Sequence, residues 1–338
     1  MSESKLAEKS DAPTLSLAVL VVAPGVFRLA LAAAVAVSHL SRLDIGRLAV
    51  LLFFYLSGYW TARIWAQKFE SKKIGWFYAA RYLRIAPLFL LATVGAALLR
   101  HLPLHAVNFT LLGIASSDSD PTGVSWSLDV ELQFYLLLPF IAAGLSQRRW
   151  RAFCLAGIAV LAILGWYAES HYGIRTVAKF LPVFALGVLT YSLSWKPSDR
   201  TAALSLAAFA FMTLFTTFTP FLSKMSVKPF DQDVWSFIWL LPLLPYIMRS
   251  LMVRSSRLDR HFGNLSYPFY LVHYAVIAWA TARFGYGAPV KAGALMAAAL
   301  VALTIYWLAD RPMDKLRVRF TETPLQPAPA ATETAIPS

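Results

Sequence analysis

The sequence predicts an all-α fold, a polytopic bundle of about ten transmembrane helices. Three observations predict it. Only 14% of the 338 residues are charged and 58% are hydrophobic, against roughly 25% charged in an ordinary soluble domain. Mean hydropathy is +0.57. Apolar runs approaching the ~20 residues that cross a bilayer recur along the whole length. Too few polar side chains remain to cover a soluble globule, so the bilayer is the solvent.

Run length and flanking charge place the helices in order. The first is 24–41, opened by Pro24-Gly25, a pair that suits a helix start better than a helix interior. The apolar stretch Thr14–Ala23 before it lies along the interface or lengthens the helix. The second, 46–66, is bounded by Arg63 and Lys68, and the third, 79–99, begins beside Arg81 and ends at Arg100. The fourth, 126–145, and fifth, 151–168, flank Arg148, Arg149 and Arg151. Then come 176–194, 201–222, 234–252, 262–283 and 289–309. Residues 1–13 form a polar tail of mixed charge, 14–320 the membrane domain, and 321–338 a Pro/Ala/Thr-rich tail expected to be disordered.

A net charge of +13 suits nucleic acid only where cations gather on one face or arm. Here they sit between apolar segments, so nucleic acid is not an expected partner and the cations read as topology signals. With the N-terminus in the cytoplasm, 21 of the 31 Lys and Arg fall on the inner side and nine on the outer, with Arg28 left inside the first helix. An even helix number then puts both termini in the cytoplasm, and the expected location is a bacterial cytoplasmic (inner) membrane. The single cysteine, Cys154, excludes a disulfide framework or a CxxC metal site within one chain. No bound cofactor or metal is expected. His101 and His105 have a helical ligand spacing, but Pro103 lies between them and no third ligand is near, so they read as loop residues. Asp118 and Asp120 in the same loop read as solvated.

Charges inside membrane helices are costly and therefore mark function by default. Arg28 and His39 lie eleven residues apart, about three turns, and share a face of the first helix. In SWSLDVELQFYLLLP, Ser127, Glu131 and Tyr135 recur every fourth residue and line one stripe, with Asp129 on another. Glu131 cannot comfortably face lipid; its plainer alternative is an interhelical hydrogen bond or ion pair. Arg81 and Arg84, three apart, suit phosphate, although an Arg at a helix end is often only an anchor. Ser266, Tyr270 and His273 form a further stripe in NLSYPFYLVHY. A lone histidine is more often a packing residue than a catalyst, a reading that weighs on His273 more than on His39. Ser57-Gly58 is a close-packing step or a substrate contact.

These residues, in this order, resemble the acyltransferase 3 family of membrane acyltransferases. The resemblance runs through FRLALAAAVAVSH, FFYLSGY, RYLRIAP, SWSLDVELQFYLLLP with its Trp126-Ser127 start, and GNLSYPFYLVH. It departs at Leu132, where a second acid is common, and at Asp310-Arg-Pro312, where Glu is usual. The resemblance implies transfer of an acyl group, most simply acetyl, from cytoplasmic acyl-CoA to a sugar hydroxyl of a surface polysaccharide, lipopolysaccharide or glycolipid. Some members carry an extracytoplasmic SGNH hydrolase-like domain; no segment here reads as one. On this reading His39 is the general base, with Glu131 or Asp129 orienting it, or it relays the acyl group as an acyl-imidazole. Arg28, Arg81 and Arg84 hold acyl-CoA, the co-substrate. Ser57, Trp126, Ser127, Tyr135, Ser266, Tyr270 and His273 support or bind substrate. His39 and Glu131 are expected at similar depth and within reach of each other. Partners would be acyl-CoA, a glycan or lipid-linked acceptor, membrane lipids and polysaccharide assembly proteins. The alternative is a transporter or flippase for a glycan or anion, using Arg28, His39 and Glu131 as a relay; a weaker one is a scaffold in polysaccharide assembly.

Overall fold

The computed structural model describes residues 21–41, 45–69, 74–218 and 232–321. Among them every regular element is helical: α1 (Pro24–Leu40), α2 (Gly46–Ile64), α3 (Ile74–Arg100), α4 (Val107–Thr110), α5 (Trp126–Ser146), α6 (Arg148–Tyr172), α7 (Val177–Ser192), α8 (Asp199–Phe218), α9 (Gln232–Leu251), α10 (Arg257–Phe284), α11 (Ala288–Ile305) and α12 (Arg311–Thr321). The all-α class is the predicted one, and each of the ten predicted segments overlaps a helix of sixteen residues or more, residues 219–222 of the seventh lying outside the described residues. Five helical stretches, Gly46–Phe69, Ile74–Arg100, Trp126–Ser146, Arg148–Tyr172 and Ala288–Leu316, are long and apolar enough to cross a membrane, while α1 and α7 are shorter apolar helices. The predicted tails, 1–13 and 321–338, lie outside the described residues except for Thr321, the last residue of α12, as do Lys72 and Lys73 of the inner cation group.

Two boundaries differ from expectation for physical reasons. α3 starts at Ile74 rather than 79, because the fully buried Phe77 packs edge-on against Trp65 and Phe69, with ring centroids 5.1 and 5.7 Å away. Arg81 and Arg84 therefore sit two to three turns inside α3, not at its opening. At the other end, α11 passes through a π-helical turn, Tyr306–Asp310, straight into α12; the apolar run stops there but the backbone does not.

The chain divides into two compact units. The first holds residues up to Tyr59 and Pro182–Tyr270, hence α1, most of α2 and α7, α8, α9 and the first half of α10. α2 and α7 meet at glycines: a Cβ on Gly58 would lie 2.2 Å from the Phe184 carbonyl oxygen, and one on Gly187 would lie 2.2 Å from that of Tyr55. Phe54 and Phe184 stack beside this crossing at 4.7 Å. This is the small-residue packing of membrane helices. α9 contains Pro242 and Pro245, and the Ser205 hydroxyl of α8 repairs its ladder by donating to the Pro242 carbonyl at 2.6 Å while accepting the Tyr246 amide at 3.2 Å.

The second unit holds Trp60–Leu181 and the residues from Leu271 onward. Its α5 and α6 form a hairpin in which Cys154 faces Gly144, where an added Cβ would come within 2.9 Å of the sulfur; the lone cysteine is a packing residue. The connection from α3 to α5 is built by side-chain hydrogen bonds. Asn108 is fully buried, accepts the His105 amide and donates to the Ser119 carbonyl. Asp120, expected to be solvated, instead accepts hydrogen bonds from the amides of Thr122, Gly123 and Ser125 and from the Thr122 hydroxyl. That knot precedes α5 and fixes where it begins. Gly123 has φ +73°, and an added Cβ would strike the Tyr274 ring at 2.1 Å, so the turn requires glycine twice over.

Candidate active site

In the second unit, α5 presents the predicted stripe. Tyr135 donates to the Glu131 carboxylate at 2.6 Å, the i to i+4 contact that the spacing requires. Arg81 of α3 lies over the Tyr135 ring, 6.0 Å from its centroid, and both Tyr135 and Glu131 act on its charge. Carboxylate, phenol and guanidinium thus form one cluster across α3 and α5. The Tyr78 hydroxyl donates to the Leu136 carbonyl at 3.0 Å and ties the same two helices. Beside the cluster is a cavity of about 330 Å³ lined by Tyr78, Arg81, Tyr82, Leu132, Tyr135 and Leu136, among others. Leu132, which stands where a second acid is common, is one of its apolar walls.

Arg84, one turn beyond Arg81, pairs with Asp310 at 3.3 Å. The pair is sheltered, with side-chain exposures of 23% for Arg84 and 8% for Asp310. Asp310 closes the π-helical turn at the end of α11, and such turns re-aim the side chains around them. Asp310 is therefore a counter-charge for Arg84.

Asp129 faces elsewhere. It is fully buried and accepts hydrogen bonds from the Ala115 amide and the Gln133 side chain, each at 2.8 Å. Gln133 in turn accepts the Val177 amide at 2.9 Å. This chain of bonds joins the loop before α5 to the start of α7, so Asp129 positions α5. The Ser127 hydroxyl donates to the Val124 carbonyl at 3.0 Å. Trp126 supports Arg175 on its ring face at 4.9 Å. His273 is fully buried.

The first unit carries the remaining predicted residues. Arg28 and His39 are both half-buried on α1. That helix has Pro24 in its first turn and Ala23 at its N-cap, where no side chain can cap. The cap comes from α10: buried Asp259 accepts the Val26 amide at 2.8 Å and also the Gly25 amide. Burial disfavours the Asp259 charge, but the Ser255 hydroxyl and these two amides outweigh it and hold the carboxyl below the usual aspartate range. α1 and α10 approach so closely that a Cβ on Gly25 would lie 1.8 Å from the Asp259 carbonyl oxygen. Further along α10, Ser266 is buried and donates to the Gly263 carbonyl at 2.7 Å. Tyr270 packs edge-on against Phe53 at 5.8 Å. Ser57 is half-buried beside the Gly58 crossing.

Sequence reasoning missed Asp259, Asp120, Gln133 and the Glu169–Arg175 pair. Asp259 and Gln133 meet partners distant in sequence, and Arg175 lies in a connection where no helical spacing announces Glu169 six positions before it. Only Asp120 carried a local signal, the D-P-T-G turn.

A family comparison matches residues 18–309, most of the chain, to an acyltransferase domain, that of the acyltransferase 3 family. The chain belongs to the acyltransferase 3 family. Nodulation protein 10 of Rhizobium leguminosarum bv. viciae is 30% identical over 177 residues, covering 41% of this chain. The match spans about half of that protein, 47% of its length. No solved structure matches the chain significantly. With its apolar helices, this member of the acyltransferase 3 family is a membrane protein.

Proposed function

We propose that this acyltransferase moves an acetyl group from cytoplasmic acetyl-CoA to a sugar hydroxyl of a surface or exported glycan, across a bacterial inner membrane with both termini inside. The observation that carries the reading is the Glu131–Tyr135–Arg81 cluster, a carboxylate kept within membrane helices in a family of acyltransferases. His39 accepts the proton of the sugar hydroxyl as its oxygen attacks the thioester carbonyl. The C–O bond forms, the C–S bond breaks, and the CoA thiolate leaves and takes up a proton. Arg81, Arg84 and Arg28 hold the CoA phosphates by charge-assisted hydrogen bonds. The Tyr270 hydroxyl donates to the developing oxyanion, since that of Ser266 already donates to the Gly263 carbonyl. Glu131 supplies the negative charge that an imidazolium or a nearby guanidinium needs inside a membrane.

Membranes containing the chain, given acetyl-CoA labelled in its acetyl group, should place alkali-labile label in glycan, and His39→Ala should reduce this by about 10²-fold or more. Movement of glycan across the membrane with no label incorporated would overturn the reading.

A further inference from the structure

Arg175, in the short connection between α6 and α7, is held at three points. Its guanidinium carbon lies 4.9 Å over the Trp126 ring, which fixes the plane of the group. Its Nε donates to Glu169 at 2.6 Å, which fixes rotation within that plane. Its backbone is clamped by one hydroxyl: the Arg175 amide donates to Ser116 Oγ at 2.9 Å, and Ser116 Oγ donates to the Arg175 carbonyl at 2.8 Å. Yet the side chain keeps 28% of its surface exposed. A guanidinium whose Nε edge is used and whose plane is set still presents the two Nη groups, the fork that binds carboxylate or phosphate in bidentate fashion.

The local charge points the same way. Glu169 is shared between Arg175 and Lys179, whose ammonium lies 3.0 Å from its other oxygen, so two cations meet one carboxylate. Asp129, also near Ser116, spends its oxygens on the Ala115 amide and the Gln133 side chain. The Arg175 fork stands in a partly sheltered place, and a receptor already ordered loses little entropy on binding.

We infer that Arg175 is an anion-binding residue for the acceptor, and that the acceptor carries an oxyanion, the carboxylate or phosphate of an acidic sugar. This rests on the acetyl-transfer reading above for the identity of the ligand as a glycan. The charge bias of the loops puts the α6–α7 connection on the outer side, where an exported glycan is met.

The test uses the full chain in nanodiscs of phosphatidylcholine, with no acyl donor, and follows the thermal unfolding midpoint during titration. Glucuronate or glucose 1-phosphate should raise the midpoint saturably, whereas glucose should not. Arg175→Gln should weaken that response about tenfold or more, and Arg175→Lys, which keeps the pair with Glu169 but loses the planar fork, by several-fold. If Arg175→Gln does not fold, Arg175→Lys decides alone. An unchanged affinity in the folded variant, or no saturable response in the wild type, overturns the inference. Equal protection by inorganic phosphate would reduce the site to a general anion site. Abolition of the sugar response in discs containing phosphatidylglycerol would assign it to a lipid headgroup. Transfer of labelled acetyl measured on the same preparation reports separately on the catalytic reading.

Discussion

Asp259 caps α1 from the start of α10, accepting the Val26 amide at 2.8 Å across 233 positions of sequence. α1 carries Arg28 and His39, so the placement of both against α10 depends on this contact and not on α1 alone. The approach needs Gly25. Gly25→Ala would put a methyl group 1.8 Å from the Asp259 backbone oxygen, and backbone cannot swing aside as a side chain can. The expected result is loss of acetyl transfer with a lowered unfolding midpoint. Gly75→Ala on α3, where nothing lies within 4 Å, should be neutral or slightly stabilising, and a comparable loss there would detach the effect from this crossing.

The Asp259 carboxylate also makes stability depend on pH. Its folded pKa lies below that of the unfolded chain. The stabilisation it supplies is therefore present throughout the neutral range and is lost only as the pH falls through the folded value, below the usual aspartate range. Asp259→Asn keeps an acceptor for the amides but removes the charge, and should lower stability by up to roughly 1 kcal/mol, the worth of a carboxylate at a helix N-terminus, at pH 6 to 8. Unfolding curves for wild type and variant should draw together below about pH 4, and a gap that widened on acidification would show that the charge is not the stabilising element.

How much of this was legible follows from the range of each interaction. The Glu131–Tyr135 bond was readable because both ends lie on one helix four residues apart, where periodicity dictates contact. So were the ten long helices, since apolar run length depends on composition alone. Asp259 was not, because nothing near residue 259 announces partners at 25 and 26. The stripe also concealed a division of labour: Asp129, two positions before Glu131, looks as available in sequence but is spent on Ala115 and Gln133. The run from α11 into α12 was hidden because hydropathy falls sharply at Asp310 while the backbone continues through a π-helical turn.

The Arg84–Asp310 pair predicts coupling in donor binding. Replacing Arg81 and Arg84 together by Ala should raise the KM for acetyl-CoA far more than that for the acceptor, because the guanidinium pair suits phosphate. Asp310→Ala removes the carboxylate that Arg84 pairs with in a sheltered place, and should destabilise the protein while Arg84 is present. The double variant Arg84→Ala/Asp310→Ala should lose less stability than the two single losses added together. Additive losses would mean that the pair at 3.3 Å carries no energy.

Orientation is predicted by the cation bias. A reporter active only in the periplasm, fused after Phe320, should be silent, and one active only in the cytoplasm should work. Periplasmic activity would remove or add one crossing and would move the Arg81/Arg84 element to the side that lacks acyl-CoA.

The Glu131–Tyr135 bond separates charge from geometry in the site. Tyr135→Phe keeps the ring beneath Arg81 and removes only the hydroxyl that donates to Glu131 at 2.6 Å. The carboxylate survives but is no longer held, so transfer should fall modestly, on the order of tenfold, through kcat rather than KM. Glu131→Gln keeps the shape and can still accept that hydroxyl, yet removes the negative charge beside Arg81. If charge is what the site needs, Glu131→Gln should lose far more transfer than Tyr135→Phe, with both proteins present in the membrane at normal abundance. Glu131→Asp should recover part of the loss, because charge returns on a side chain one methylene shorter. Initial rates of labelled acetyl transfer at saturating acetyl-CoA decide the matter. Equal losses from Tyr135→Phe and Glu131→Gln would make Glu131 a packing partner of Tyr135, and the search for the charged group that serves acyl transfer would have to move off α5.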